Sequence, residues 1–271
     1  MGDNIIKPKI SVIMGAYNAE NRIRKSVESI IKQDFQDWEL IICDDGSKDN
    51  TLRVLKKIEK LDDRIIVIKN KKNMGLAYSL NHCISIARGE YIARMDDDDF
   101  SHSNRLSVQY EYMQRHSEIA VLGTAANLVD STHIWGEMKR LDYPDAYDIW
   151  AGRSFIHPTV MIRKDALINS GLYTVAKYVG RTEDYDMWCK IYAAGYKGHN
   201  LQEKLIDYYE DRTSFSKRKY IYRGYSTRLR LLWRKSLNIP LKKLYVAFIP
   251  MLHGLIPIRL MRNIRTKRFG Q

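Results

Sequence analysis

Cysteine is scarce in this sequence. There are three in 271 residues, Cys43, Cys83 and Cys189, far apart and without a CxxC pair or a Cys/His cluster. Their scarcity argues against structural zinc and points to a reducing compartment. Residues 1–8 lack the charged and apolar regions of a secretory signal, and no Ser or Thr stands at position 6 behind Gly2 to complete a myristoylation signal. A cytoplasmic location is therefore expected. Internal repeats and low-complexity segments are missing as well. The apolar stretch from Leu244 to Ile258 is too short to span a bilayer and is broken by Pro250, His253, Gly254 and Pro257. One sign of charge disappears altogether from Arg212 to Gln271, which holds 16 Lys and Arg but no Asp or Glu. The remaining 29 basic residues face all 32 acidic ones, so the +13 excess of the whole chain becomes −3 over residues 1–211. That composition boundary predicts a domain or subdomain border near Arg212.

The body of the chain alternates short apolar runs with helical spacing. Ile10–Met14 reads as a strand that ends in Gly15-Ala16-Tyr17-Asn18, and Ile23, Val27, Ile30 and Ile31 follow at helical intervals. Trp38–Cys43 is a second strand ending in Asp44-Asp45-Gly46-Ser47, then comes a helix marked by Leu52, Leu55 and Ile58 or Leu61. Ile65–Ile68 is a third strand, Leu76–Ala87 a helix, and Gly89–Met95 a fourth strand. This alternation predicts an α/β fold with a parallel sheet and right-handed crossovers, in which ligands gather at the carboxyl ends of the strands. Further on, Arg105–Arg115 reads as helix, Ile119–Val129 as strand, Phe155–Ile162 as a strand with Pro158 at an edge or bulge, and 164–170 as a helix closed by Gly171. Thr182 is placed as N-cap of a helix running to Gly195, while His133–Arg153 gives no clear pattern.

The fourth strand ends in four consecutive aspartates, Asp96 to Asp99. Like charges packed at a strand end are unfavourable unless a cation or a buried basic group offsets them. Oxygen-rich sites of this kind suit magnesium or manganese shared with a substrate's phosphates. In isolation the run reads first as a solvated acidic turn, with Asp99 or Ser101 capping the next helix. Asp44–Ser47 and Asn73-Met74-Gly75 are likewise turns by composition, and Glu183-Asp184 an ordinary helix start.

Taken together, Ser11–Asn18, Asp44–Thr51, Asn73–Ala77, Gly89–Asp99 and Thr182-Glu183-Asp184 stand in the order of the family 2 glycosyltransferases, which this chain resembles over roughly residues 9–210. The resemblance implies a GT-A fold (Rossmann-like, a mostly parallel sheet flanked by helices) and inverting, metal-dependent transfer from a nucleoside diphosphate sugar, UDP-linked in the typical member. It divides the chain into a catalytic domain, 1–211, with a nucleotide-sugar half at 1–100 and an acceptor half at 101–211, followed by a basic helical extension at 212–271. The family's Asp-x-Asp motif falls on Asp96-Asp97-Asp98, which makes Asp98 the direct metal ligand and gives Asp96 the ion or the ribose. Asp97 occupies a slot where the family often has Ala. By the same resemblance Ala16, Tyr17, Asn18, Asp45, Asn73, Gly75, Arg94, Asp96 and Asp97 belong to nucleotide-sugar binding, with Tyr17 stacked on the base and Asp45 accepting from it. Asp184 is implied as the general base and Glu183 as the residue orienting base or acceptor, with His157 and Trp188 near the acceptor.

The last 60 residues interleave their basic clusters with Tyr220, Tyr222, Tyr225, Leu229, Leu231, Leu232 and Trp233, then with Leu244–Leu252. A basic amphipathic segment of this kind suits an anionic membrane surface. A helical cap on the catalytic domain, a dimer interface and, lower in rank, a nucleic-acid site are the other readings. A membrane-facing transferase implies a lipid-linked glycan acceptor, as in bacterial capsule, O-antigen or exopolysaccharide assembly, and a peripheral position on the inner face of the cell membrane. Two competing classes are a nucleotidyltransferase, disfavoured because Gly15-Ala16-Tyr17-Asn18 is not a Gly-rich loop with Arg and Lys, and a non-catalytic membrane or RNA adaptor that keeps the fold.

Overall fold

A computed structural model describes residues 7–210 and 220–254, together with Ile256, Lys267 and Phe269. The first hundred residues are successive strand–helix units: β1 (Ile10–Ala16), α1 (Ile23–Ile31), β2 (Trp38–Asp44), α2 (Thr51–Glu59), β3 (Ile65–Lys69), α3 (Leu76–Ile86) and β4 (Tyr91–Met95). β1 and β2 are largely apolar along their length, broken by Ser11 and Glu39, because both faces of the sheet are covered. Their side chains still alternate between two layers. Val12, Met14, Leu40 and Ile42 pack under α1 and α2 with Val27 and Leu55. Ile13, Ile41 and Ile92 pack with Leu80, Cys83 and Ile84 of α3. The parallel order is β3-β2-β1-β4. Because the chain winds outward from β1 to β3 and then returns to β4 on the other side of β1, a crevice opens at the carboxyl ends of β1 and β4.

Beyond β4 the parallel pattern stops. The elements are β5 (Phe100–Ser101), α4 (Arg105–Arg115), β6 (Ile119–Val129), β7 (Ile134–Met138), α5 (Ala146–Trp150), β8 (Met161–Arg163), α6 (Lys164–Asn169), α7 (Glu183–Ala193) and β9 (Lys197–Tyr209). β8 pairs antiparallel with both β4 and β6, β7 with β6, and β5 with β9, while β6 and β9 are parallel. An antiparallel neighbour needs no crossover helix, so the alternation that predicts a parallel sheet carries no information here. The strand expected over Phe155–Ile162 is mostly something else: His157–Thr159 form a 3₁₀ turn and only Met161–Arg163 pair. Pro158, with a fixed φ and no N–H, cannot serve a ladder there. The unreadable stretch after His133 resolves into β7 and α5. The latter is opened by a capping box in which Asp145 accepts from the Asp148 N–H and Asp148 from that of Asp145.

Residues 220–254 are laid on the body formed by the sheet and its helices. α8 (Ile221–Trp233), a 3₁₀ segment (Leu241–Phe248) and α9 (Ile249–His253) follow one another. Leu229, Leu237, Ile239, Val246 and Ala247 share one apolar cluster with Trp150, Tyr185 and Trp188. Two indoles fasten it: Trp150 Nε1 donates to the Arg230 carbonyl at 2.7 Å, and Trp233 Nε1 to Asp186 Oδ1 at 2.8 Å. The border expected near Arg212 and the basic residues Arg259, Arg262, Arg265 and Arg268 lie outside the described residues.

Candidate active site

At the crevice, the turn after β1 and the acidic run after β4 are tied together by Asp97. Its carboxylate takes both Arg22 Nε (3.0 Å) and Arg22 Nη2 (3.1 Å), and it accepts from the Tyr17 N–H at 3.4 Å. Arg22 in turn donates to the carbonyls of Tyr17 and Asn18. Asp97 therefore spends its charge on Arg22 and holds the turn that carries Tyr17, whose ring is 38% exposed. Asn18 adopts φ 49°, accepts from the Lys48 N–H and donates its own N–H to Ser47 Oγ, which binds the first turn to the second.

Asp45, expected at the nucleotide base, is also tied into the neighbouring loop. Its carboxylate is buried and accepts from Asn70 Nδ2, the Met74 N–H and the Gly75 N–H, all at 2.8 Å. It anchors the loop that carries exposed Asn73 to the end of β2. The close seat of that loop depends on Gly46, at φ 69°, where an added Cβ would stand 2.6 Å from the Lys72 carbonyl carbon. The Ala16 carbonyl accepts from the Asp45 N–H at 2.8 Å, so Ala16 acts through its backbone.

Beside this region lies a cleft of about 610 Å³ lined by Arg94, Asp96, Asp97 and Asp98 on one side and by His157, Arg181, Thr182, Glu183 and Asp184 on another. Tyr17, Asn18, Asp45, Asn73 and Gly75 are not among its lining residues. Arg94 is buried and ion-paired with Asp96, while its Nε and Nη1 have no partner. Two carboxylates of the run are left without a cation of their own. Burial, then the charges of Asp96 and Asp97, pushes Asp98 up to about 7. Asp99 is driven well above the usual carboxylate range by burial and by Asp96 and Asp98. Asp99 does not cap α4 as expected. It is enclosed, accepts from the Tyr209 N–H at 2.8 Å through Oδ1, and its Oδ2 has no partner. Oxygens of Asp96, Asp98 and Asp99 lie within 4.8 Å of one another. An unpartnered buried oxygen among crowded carboxylates is the donor set a hard divalent cation takes, so magnesium or manganese fits these residues.

Across the cleft, Glu183 and Asp184 open α7. Thr182 stands at the N-cap position, but its hydroxyl donates to the Val179 carbonyl and not to the helix. Burial, then the charge of Asp184, pushes Glu183 up to about 7. His157 donates to or accepts from the Tyr173 hydroxyl at 2.9 Å, and burial followed by the nearby Arg94 charge lowers it well below its ordinary value, so it is neutral. Tyr173 is itself pinned by Asn81, which accepts from its N–H and donates to its carbonyl. Trp188 corrects its expected place near the acceptor. It is wholly enclosed, edge-on to Phe155 and His157, because it falls on the side of α7 that joins the apolar core.

Three contributions escape the sequence reading. Arg22 neutralises Asp97, and Tyr208 and Tyr209 at the end of β9 reach the cleft. Tyr222, Arg223 and Ser226 of α8, with Pro250 of α9, complete its wall. α8 also presses on the loop before the carboxylate pair: a Cβ at Gly180, φ 54°, would meet Tyr225 at 2.7 Å and Tyr222 at 3.1 Å. Only the run of basic and aromatic residues after Tyr220 signalled that this segment had a surface to cover.

The family model described as Glycosyl transferase family 2 matches residues 11–175. A putative glycosyltransferase, EpsE, of Bacillus subtilis is 37% identical over 262 residues, 96% of this chain and 94% of the relative. The Escherichia coli UDP-Glc:alpha-D-GlcNAc-diphosphoundecaprenol beta-1,3-glucosyltransferase WfaP is 30% identical over 205 residues, 74% of this chain and 76% of the relative. Among solved structures, residues 1–349 of Staphylococcus aureus TarS, in complex with UDP, superpose with a TM-score of 0.68 at 21% identity, covering 90% of this chain and 70% of TarS. That likeness shows the GT-A fold, a mixed α/β sheet flanked by helices.

Proposed function

Because this chain belongs to glycosyl transferase family 2, we propose that it moves one sugar from a UDP-sugar to a hydroxyl of a lipid-linked glycan, with inversion, in cell-surface polysaccharide assembly. One observation carries the reading: a single cleft faces the aspartates at the end of β4 with Glu183 and Asp184 at the start of α7. The UDP donor and the lipid-diphosphate acceptor are supported by the relative that uses both.

Transfer needs negative charge accommodated on the departing diphosphate and a proton removed from the incoming hydroxyl. Asp96 and Asp98, with Asp99 beside them, would hold a divalent cation, which when bound would supply positive charge for the departing diphosphate. The other steps belong to this chain's residues. The Tyr17 ring packs on the base, and Asn18, Asn73 and Gly75 border the nucleotide from the turns that Asp97 and Asp45 hold. Arg94, fixed by Asp96, adds a positive charge to the cleft wall on the side of the sugar phosphate. Asp184 takes the acceptor proton as the acceptor oxygen bonds to the anomeric carbon, and the electron pair of the broken C–O bond leaves on the diphosphate. Glu183 and neutral His157 orient the acceptor. With no protein nucleophile between donor and acceptor, one displacement inverts the centre.

In this proposal residues 1–211 form the catalytic domain and 212–271 an extension that holds the protein peripherally on the inner face of the cell membrane. Among the described residues no helix is long and apolar enough to cross a bilayer. Asp184→Asn should abolish transfer while leaving UDP-sugar affinity, measured by calorimetry, within a few-fold. An Asn variant with full activity would remove Asp184 as the base. Transfer that is indifferent to chelation of manganese and magnesium would remove the cation.

A further inference from the structure

We infer that the outward face of α8, the 3₁₀ segment and α9 is a preformed docking surface for an anionic lipid bilayer, one that sets the mouth of the cleft against the membrane. Large apolar side chains are exposed at twelve positions among residues 7–210 but at eight among the 35 residues of 220–254. The second stretch is thus several times richer in exposed apolar groups, and a soluble face of the same length would carry polar ones. The groups are ordered. Leu241 (69%), Tyr245 (64%), Phe248 (45%) and Leu252 (61%) recur at intervals of four, three and four. Their neighbours Val246, Ala247 and Pro250 are buried on the opposite side. On α8, exposed Ile221, Leu231 and Leu232 fall on one side and buried Thr227, Leu229 and Arg230 on the other.

Charge selects the occupant. Residues 220–254 carry seven Lys and Arg and no Asp or Glu, and Arg228, Lys235 and Lys242 are exposed beside the apolar groups. A second copy of this chain would bring the same uncompensated positive charge to the contact. A bilayer containing acidic headgroups supplies the opposite sign and takes up Leu, Phe and Tyr at the headgroup boundary. The surface is rigid, because its inner side is part of the apolar core and is held by the Trp150 and Trp233 indoles. Tyr222, Arg223 and Ser226 of α8 line the cleft while Ile221 and Leu232 face outward. One helix therefore separates the reaction space from the docking face, and an acceptor anchored in the bilayer meets the cleft without leaving it.

The inference rests on the proposed reading only for the purpose of docking; the surface can be tested alone. Full-length protein is floated with vesicles of phosphatidylcholine, with and without about one-third phosphatidylglycerol, a content that gives a strongly anionic surface. The comparison variants are Leu241→Ser/Tyr245→Ser/Phe248→Ser/Leu252→Ser and, as a milder change that keeps every apolar contact, Lys235→Glu/Lys242→Glu. Circular dichroism and UDP-sugar calorimetry check that each is folded. Wild type should float only with the anionic vesicles, and both variants should lose at least about tenfold in partitioning, since apolar and electrostatic terms act jointly. Equal flotation of wild type and folded variants, or no flotation of wild type, would overturn the inference. So would a change from dimer to monomer in the serine variant without loss of vesicle binding, which would identify the stripe as a self-association face. Failure here with transfer to a detergent-solubilised acceptor intact leaves the proposed transfer reaction standing and removes only the membrane role of the extension. Vesicle binding without any glycosyl transfer leaves the surface standing and removes that function.

Discussion

Asp45→Asn separates two roles for the same carboxylate. If Asp45 reads the nucleotide base, an amide should weaken donor binding and leave the fold alone. The structure gives it other work, since three donors, Asn70 Nδ2, Met74 N–H and Gly75 N–H, converge on it at 2.8 Å in a site that is 4% exposed. Oδ1 accepts two of them and Oδ2 the third. An asparagine can keep its oxygen at the Oδ1 position, where both bonds survive without charge assistance. Its NH₂ then confronts the Gly75 N–H, donor against donor. A hydrogen bond to a charged group contributes about 1.5–3 kcal/mol and a neutral one about 1 kcal/mol. Losing one charged bond and weakening two gives a destabilisation of about 2.5–7 kcal/mol. Urea denaturation followed by tryptophan fluorescence reads this directly, with Asp45→Ala as the larger version of the same loss. Should Asp45→Asn unfold within about 0.5 kcal/mol of wild type, the range of an ordinary surface change, while UDP-sugar affinity falls tenfold, the anchoring role is wrong and the carboxylate acts on the base.

Further outcomes follow from the acceptor side. Glu183 is raised from 4.5 to about 7, so the folded protein holds that proton more tightly than the unfolded chain, and stability drains away as pH rises between those values. Glu183→Gln should therefore gain in melting temperature relative to wild type across that window and hold the gain above pH 7; a difference that does not vary with pH would refute it. Trp233→Phe keeps the ring but removes the 2.8 Å bond to buried Asp186, whose other oxygen is held by Thr174 Oγ1 at 2.6 Å. It should cost about 1.5–3 kcal/mol, measured by thermal unfolding, and no change would mean that α8 is not fastened there.

The nucleotide half was legible because its logic is local. An apolar run such as Ile10–Met14 buried on both faces, a helix at 3.6-residue spacing and a polar strand end each leave a mark within a dozen residues. Helices 105–115 and 183–193 were readable for the same reason. What escaped depends on partners distant in sequence. The aspartate run reveals its acidity but not that Arg22, 75 residues earlier, claims Asp97 and leaves Asp98 and Asp99 uncompensated. Asp44-Asp45 looks alike on paper whether it faces solvent or a loop 30 residues on. Trp188 and a cleft-lining aromatic share one letter; only the side of α7 on which it falls decides between them. Pro158 was read as a bend in a strand, whereas its missing N–H ended the pairing. Basic, apolar 220–254 gave its composition truthfully, but amphipathicity alone could not say which face the catalytic body would claim.

The family match ends at residue 175, yet Glu183, Asp184 and the α8 side of the cleft all come later in the chain. Residues beyond the family match thus meet the aspartates that follow β4 across one gap. Substitutions at Tyr222, Arg223 or Ser226 can reshape what enters that gap without disturbing a single strand of the sheet.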